Sequence, residues 1–410
     1  MTDSSDVMSY CKFDNNTIDS YNGIRIISST TAGFFGKGNE IGVIAGNYIL
    51  SYGNGTATAY GMNIEYQDYL KIARNSVNGG GASQTGIIYG IRTGSGTNSN
   101  VDIYLNSVTV TQSGTSLIYA IVNSMGSTGV DNTVNIYNNT VENCLYSGSS
   151  GNSFWMIYNL ASAYNVNIYG NRCRNSTKAA GTGPLHCIYN SPTTETVNLK
   201  IYNNEIHNNA SAGPMNGIHV TDGVNNYIYG NKIYDNRTTS SSGSVTSGIL
   251  IPSGPVNTYI YNNFISDLKA PNSSDVNAVR GINITSTTAN TNIGLYYNTI
   301  FLNTAGTGNF GTSGIHHTYS STATSATLDM RDNIVVNLST PSGTGKTVAF
   351  RRSAATNLNN YSTLSNNNCF YAGTPSTSNV IFFDGTNFDQ TMEDFKIRVA
   401  PREGGSVSEN

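Results

Sequence analysis

The sequence predicts an all-β solenoid, a right-handed parallel β-helix of about 12 coils with a short C-terminal helix. Three observations carry this. A six-residue pattern returns with a mean spacing of about 32 residues. A second strand pattern alternates with it, and no helical periodicity separates the two. The first pattern reads apolar, any, any, Asn, any, apolar, as in Phe13–Ile18, Ile44–Ile49, Ile136–Val141, Ile260–Ile265 and Leu364–Cys369. Its asparagines are Asn16, Asn47, Asn75, Asn106, Asn139, Asn171, Asn204, Asn231, Asn263, Asn298, Asn333 and Asn367.

The second pattern reads Gly, apolar, any, and often apolar again. Gly23–Ile26, Gly61–Ile64, Gly217–Val220, Gly248–Ile251, Gly281–Ile284 and Gly314–His317 follow it. Each period thus holds at least two short strands with a side-chain repeat of two, joined by Ser, Thr, Gly and Asn. A sandwich would need antiparallel hairpins with tight turn signals. Here like strands return in the same order, so like stacks on like in parallel sheets.

Each coil must bend after its first strand, and Asn tolerates the backbone angles of such a bend. Stacked amides can then bond from coil to coil and satisfy the polar groups the bend buries. Asn139, Asn171, Asn204, Asn231 and Asn263 are therefore expected to be buried and hydrogen-bonded.

The repeat makes residues 1–387 one solenoid and leaves 388–410 as a C-terminal segment. There Thr391 caps a helix whose apolar face is Met392, Phe395 and Val399, and Pro401 stops it. The first coil begins by Phe13, and Ser406–Asn410 is polar. An end coil is accordingly expected to meet another chain or to continue into further sequence.

Charged residues make up 11% of the chain, against about a quarter in an ordinary protein, and the net charge is −3. No basic stripe for nucleic acid and no apolar run long enough to span a membrane is visible. Met1–Asp6 is acidic and has no apolar core, so it does not read as a signal peptide. The Ser/Thr/Asn/Gly-rich surface fits an extracellular or cell-surface protein whose export signal is absent from this chain. The five cysteines are dispersed without a C-x-x-C, which argues against a disulfide framework or a zinc site. Cys173 and Cys369 take the apolar place of the repeat and read as buried reduced thiols. Neither a metal nor a cofactor is expected.

The I-x-x-N-x-I and G-I-x-I alternation over residues 10 to 372 resembles the β-helix repeats of the pectate-lyase-like superfamily. The segment Met392–Glu409 is similar to the tail of β-helix regions in large secreted proteins of Bacteroidetes-type bacteria. The first resemblance implies the fold. It leaves function open among polysaccharide lyases, glycoside hydrolases, epimerases, phage tailspikes and non-catalytic surface proteins.

An enzyme of this kind needs paired carboxylates, or an acidic calcium cluster beside an Arg or Lys base. Neither is present in the sequence pattern. Asp222, Asp235, Asp267 and Asp332 are scattered over turns. Asp235 and Asp267 align with Asn143, Asn175 and Asn208, four residues after the Asn column, and read as a second polar turn column.

The best catalytic candidates are His316, Arg351 and His317. His316 and Arg351 share an outward column with Asn283, and His317 and Arg352 stand beside it. A His next to an Arg could serve as base and electrostatic stabiliser. The rest of that column reads Arg25, Asn63, Arg92, Val122, Ala161, His219 and Leu250, so a solvated face is the expectation. The candidate binding residues are Tyr104, Tyr137, Tyr169, Tyr202, Tyr229, Tyr261 and Tyr296, one position after the inward apolar residue on seven coils. They form an outward aromatic stripe, either a sheet-stabilising column or a platform for glycan or another subunit.

The reading is a non-catalytic structural or adhesive solenoid, with self-association (end to end or lateral) and a glycan as the candidate partners. The alternatives are a polysaccharide-active lyase or hydrolase and a carbohydrate-binding module built on the tyrosines.

Overall fold

Within each of its two units the inward apolar residue of a coil stacks on its counterpart in the next, and this sets the register of an all-β parallel solenoid of about 11 turns with one short helix. The computed structural model describes residues 8–31, 33–127, 131–192 and 197–408, so the acidic start Met1–Asp6 lies outside the described residues. Two units divide the chain: Met1–Glu205 with Asp222–Val224, and Ile206–Thr221 with Asn225–Asn410.

In the first unit one sheet pairs Leu70–Ala73, Val101–Tyr104, Thr133–Tyr137, Asn165–Tyr169 and Asn198–Tyr202 in parallel. Ile72, Ile103, Ile136, Ile168 and Ile201 form its fully buried inward row. Each such side chain stabilises by about 1.5–3 kcal/mol on leaving water. A second sheet takes the strands just after the Asn column, such as Ser107–Gln112, Thr140–Glu142 and Arg172–Arg174. A third takes the glycine-type strands Ala59–Glu65, Ile88–Gly94, Ile118–Asn123, Phe154–Asn159 and Leu185–Asn190.

The second unit repeats the plan. Its first sheet pairs Asn225–Tyr229, Asn257–Tyr261, Asn292–Tyr296 and Thr327–Arg331. Its third sheet runs Met215–Val220, Thr246–Ile251, Val279–Ile284, Thr312–His317, Thr347–Arg352 and Asn379–Phe383.

The asparagine ladder stands as the pattern requires. Asn139, Asn171, Asn204, Asn231 and Asn263 are all at most 2% exposed. In the first unit Asn106 donates from Nδ2 and from its backbone N–H to Asn139 Oδ1, at 2.9 and 3.0 Å. Asn139 does the same to Asn171, and Asn171 to Asn204. Each Nδ2 also donates to an inward carbonyl, as Asn139 does to Ile103 O at 2.8 Å. In the second unit the chain of amides runs Asn231, Asn263, Asn298, Asn333. The left-handed residue is the one before the ladder Asn: Leu105, Asn138, Gly170, Asn203, Gly230, Asn262 and Asp332 all have φ between 53° and 65°. The bend therefore falls one residue earlier than the sequence pattern suggested, and the ladder Asn is kept for its amide.

The second turn column is present as well. Asn143, Asn175, Asn208, Asp235 and Asp267 share φ near +50°, the conformation that Asn and Asp tolerate best among non-glycine residues. Asp235 and Asp267 are both salt-bridged to Lys269.

Two stretches depart from the repeat pattern. Ile44 is 69% exposed, and the inward place of that coil belongs to Ile41, which pairs with Phe13 and Ile72. A longer turn, residues 42–46, separates Ile41 from Asn47. In the last coil the register is one residue later than read. Asn368, not Asn367, continues the ladder: Asn333 donates to Asn368 Oδ1, while Asn367 is exposed with φ of 59°. The slip turns every side chain over. Phe370 takes the inward place opposite Val335, and Cys369 pairs with Ile334 on the outside, only half-buried. Cys173 is buried as expected, and burial pushes the neighbouring Cys144 thiol up to about 12.

The helix spans Met392–Val399, with Thr391 Oγ1 accepting from Asp394 N and with Met392, Phe395 and Val399 buried. Phe395 enters a cluster with Phe350, Phe370 and Phe382. After the helix, Glu403 ends the ladder: its buried carboxylate accepts from Asn368 Nδ2, Tyr361 Oη and Ser406 Oγ. Phe388–Asp389 turns back antiparallel on Asn379–Phe383 and so covers that sheet edge.

Candidate functional site

The tyrosines of the first sheet stand outward and half-buried. In the first unit Tyr104, Tyr137, Tyr169 and Tyr202 stack with centroids 4.8, 4.8 and 4.7 Å apart and ring planes within 6° of parallel. In the second unit Tyr229 and Tyr261 stack at 4.9 Å. Tyr296, the last of the series, bonds Asp329 Oδ2 at 3.0 Å and lies beside the Arg331 guanidinium. Burial, with Asp102 and the neighbouring tyrosines, pushes the Tyr137 hydroxyl up to about 12. The stack shows the solvent ring edges and hydroxyls, because the ring faces lie against each other.

Each stacked pair is worth about 0.5–1.5 kcal/mol beyond its burial. Tyr169→Ser removes two pairs and is expected to lower unfolding stability by about 2 kcal/mol. Urea denaturation followed by circular dichroism measures this. A loss below about 0.5 kcal/mol, the range of an ordinary surface substitution, would show that the stacks hold nothing together.

The third sheet of the first unit carries a second aromatic face that the tyrosine spacing does not reveal. Tyr60, Tyr89, Tyr119 and Trp155 stack in one column at 5.1, 4.9 and 4.7 Å. Tyr158 and Tyr189 stack in the adjoining column at 4.8 Å, and Trp155 lies 5.4 Å from Tyr158. The outward column read from the sequence placed Ala161 opposite Val122. Register places Tyr158 there, and Tyr189 after it. Met156 and Cys187 occupy the glycine place of these two coils, so the glycine marker that set the alignment is missing.

Behind this face runs a further ladder, also unread in the sequence. Asn123 donates to Asn159 and Asn159 to Asn190, at 3.0 and 2.9 Å. The recurrent Ile-x-Asn of residues 121–123, 157–159 and 188–190 is the signal that could have found it.

In the second unit the same inward place is held by Ile251, Ile284, His317 and Arg352 in successive strands. His317 and Arg352 are at most 1% exposed, so they belong to the interior rather than to a solvated face. His317 Nε2 lies 2.9 Å from Ala326 O, a carbonyl that can only accept, so Nε2 carries the proton. The Nδ1 lone pair then accepts from Arg352 Nη1 at 3.0 Å. Burial first and Arg352 second push this imidazole down to about 3. Arg352 also donates to Asn360 Oδ1 at 2.8 Å. A hollow of about 140 Å³ opens beside it, lined in part by Asn357, Asp384, Asn387 and Arg398.

His316 and Arg351 do share the outward column with Asn283, but they are only 8% and 7% exposed. The expected solvated face is therefore a covered polar cluster. His316 Nδ1 lies 2.9 Å from Asn283 Oδ1, which also accepts from Arg280 Nη1 at 3.3 Å. Arg351 lies over the Phe383 ring at 4.9 Å. Burial, then Arg280, Arg351 and His317, holds His316 well below its usual range.

Among the described residues no three His, Cys, Asp or Glu side chains are grouped to hold a metal. No described helix is long and apolar enough to cross a membrane. No family model matches the chain, and no curated protein or solved structure matches it either.

Proposed function

We propose that the chain is a non-catalytic structural solenoid of an extracellular bacterial surface protein or fibre, built on the backbone course of the pectate-lyase-like superfamily. One observation carries this reading: the candidate base His317, the Asn283 amide beside His316 and the amides of the ladder are spent on neighbouring side chains. The His317 lone pair is taken by Arg352, the Asn283 amide oxygen by His316 and Arg280, and the ladder amides by the next coil. Such side-chain networks rigidify a fold. The charge-poor Ser, Thr, Asn and Gly surface supports the extracellular assignment.

The glycan-platform reading is weaker on this geometry. A sugar ring lies flat on an aromatic face, and the faces inside the tyrosine columns are covered by their neighbours. Lateral contact through the exposed ring edges and hydroxyls remains compatible with a fibre.

The chain should yield no unsaturated uronate and no new reducing ends from a panel of uronic-acid, neutral and sulfated polysaccharides. Product that forms with the native chain and is lost on heat denaturation would overturn the reading in favour of an enzyme.

A further inference from the structure

The second unit buries a positive charge that no ion pair among the described residues neutralises. Arg351 sits in the strand Thr347–Arg352 with 7% of its surface exposed. Its Nε and Nη2 have no hydrogen-bond partner among the described residues. Phe383 covers a face of the guanidinium, but the N–H donors of a guanidinium lie in its plane, so that contact leaves them unsatisfied. A buried, unpaired charge is costly unless something compensates it.

The neighbours add to the charge. Arg280 donates to the neutral Asn277 O and Asn283 Oδ1, at 3.0 and 3.3 Å. His316 pairs in register with Arg351 and turns its Nδ1 to the same Asn283 oxygen. Lys346 stands over Phe383 and Phe388 on the same strand margin. Among the described residues the carboxylate whose field reaches both arginines is Asp275, and its Oδ1 already accepts the Asn277 N–H at 2.7 Å. The arginines that form ion pairs among the described residues are Arg92, Arg172, Arg174, Arg331 and Arg398, and neither Arg280 nor Arg351 is one of them.

Arg92 shows what the same column looks like when it is balanced. It occupies the equivalent outward place in the first unit and bonds both Asn63 and the Glu65 carboxylate. The cluster around Arg351 has the amide, Asn283, and lacks the acid.

We propose that Arg280, Arg351 and His316 form a binding site for an oxyanion group with at least two acceptor oxygens, which supplies the missing negative charge. Two guanidiniums suit such a group because their planar forks match its oxygen spacing. The imidazole, held neutral by burial and by the two arginines, can take up a proton and become a further donor when the anion enters. The site is independent of the scaffold reading above: it would exist in an enzyme or in a fibre.

Calorimetric titration of the full chain with sodium sulfate, against sodium chloride at equal ionic strength, tests this. One saturable sulfate site per chain is expected. Arg351→Met and Arg280→Met should each weaken it about tenfold or more, and Arg92→Gln should leave it unchanged. Dextran sulfate against uncharged dextran separates the two sources of the group. Tighter binding of dextran sulfate than of free sulfate marks an anion carried on a polymer, and equal binding marks a free ion. Absence of a sulfate-specific signal in the native chain would overturn the proposal even if the arginine variants failed to fold. So would a signal that survives both arginine substitutions.

Discussion

Asn139→Ala is expected to lower the unfolding free energy by about 3 kcal/mol, as read from the midpoint and slope of a urea titration. The loss follows from which groups are left behind. Asn106 donates both its Nδ2 and its backbone N–H to the Asn139 Oδ1. Alanine removes that acceptor and leaves two buried donors without it, each costing about 1–3 kcal/mol. On the other side, Ile103 O and Asn171 Oδ1 lose the amide that bonds them. Trimming an equally buried apolar neighbour, Ile136→Val, should cost only about 0.5–1.5 kcal/mol. Asn139→Asp distinguishes the acceptor from the donor. It keeps an oxygen for Asn106 and loses the Nδ2, and it places a carboxylate where no cation bonds the present side chain. It should therefore be no milder than alanine near neutral pH and should recover as the carboxyl is protonated. If Asn139→Ala cost no more than Ile136→Val, the ladder would be a by-product of the turn rather than a source of stability.

What could be read from the sequence follows from which positions repeat with one residue type. The Asn column was legible because a buried amide with four bonds to make tolerates little else, so the same letter returns in coil after coil. The inward isoleucines were legible for the same reason. Positions that accept several residue types lost the thread. Where Met156 and Cys187 replace glycine, the outward alignment slid and Tyr158 and Tyr189 were missed. In the last coil three consecutive asparagines, 366–368, offer no choice of register by themselves. The positive φ of Asn367 and the bond from Asn333 to Asn368 decide it. The burial of His316 and Arg351 was not legible at all. Alternation gives the face on which a side chain stands but not what covers that face. Their cover is made of distant groups, Phe383 from the next strand and Arg280 from the strand before.

The other large effect falls at the C-terminal helix. Phe395→Ala is expected to cost about 4 kcal/mol, within the range for emptying a buried phenylalanine site. Phe395 is fully buried, edge-on to Phe350 and Phe370 at 6.3 and 5.9 Å and stacked on Phe382 at 5.1 Å. These three rings come from three consecutive strands of the last turns, so one side chain ties them to the helix. In a solenoid each coil touches only its neighbours, and stability is close to a sum of local terms. The loss should therefore be local. Hydrogen exchange should quicken first for amides of Thr347–Arg352 and Asn379–Phe383, while those of Thr133–Tyr137 keep their protection. Val399→Ala, on the same buried face, should give a smaller change with the same distribution. Uniform loss of protection along the chain after Phe395→Ala would mean that the solenoid unfolds as one cooperative body, and that the helix guards the whole of it rather than its end.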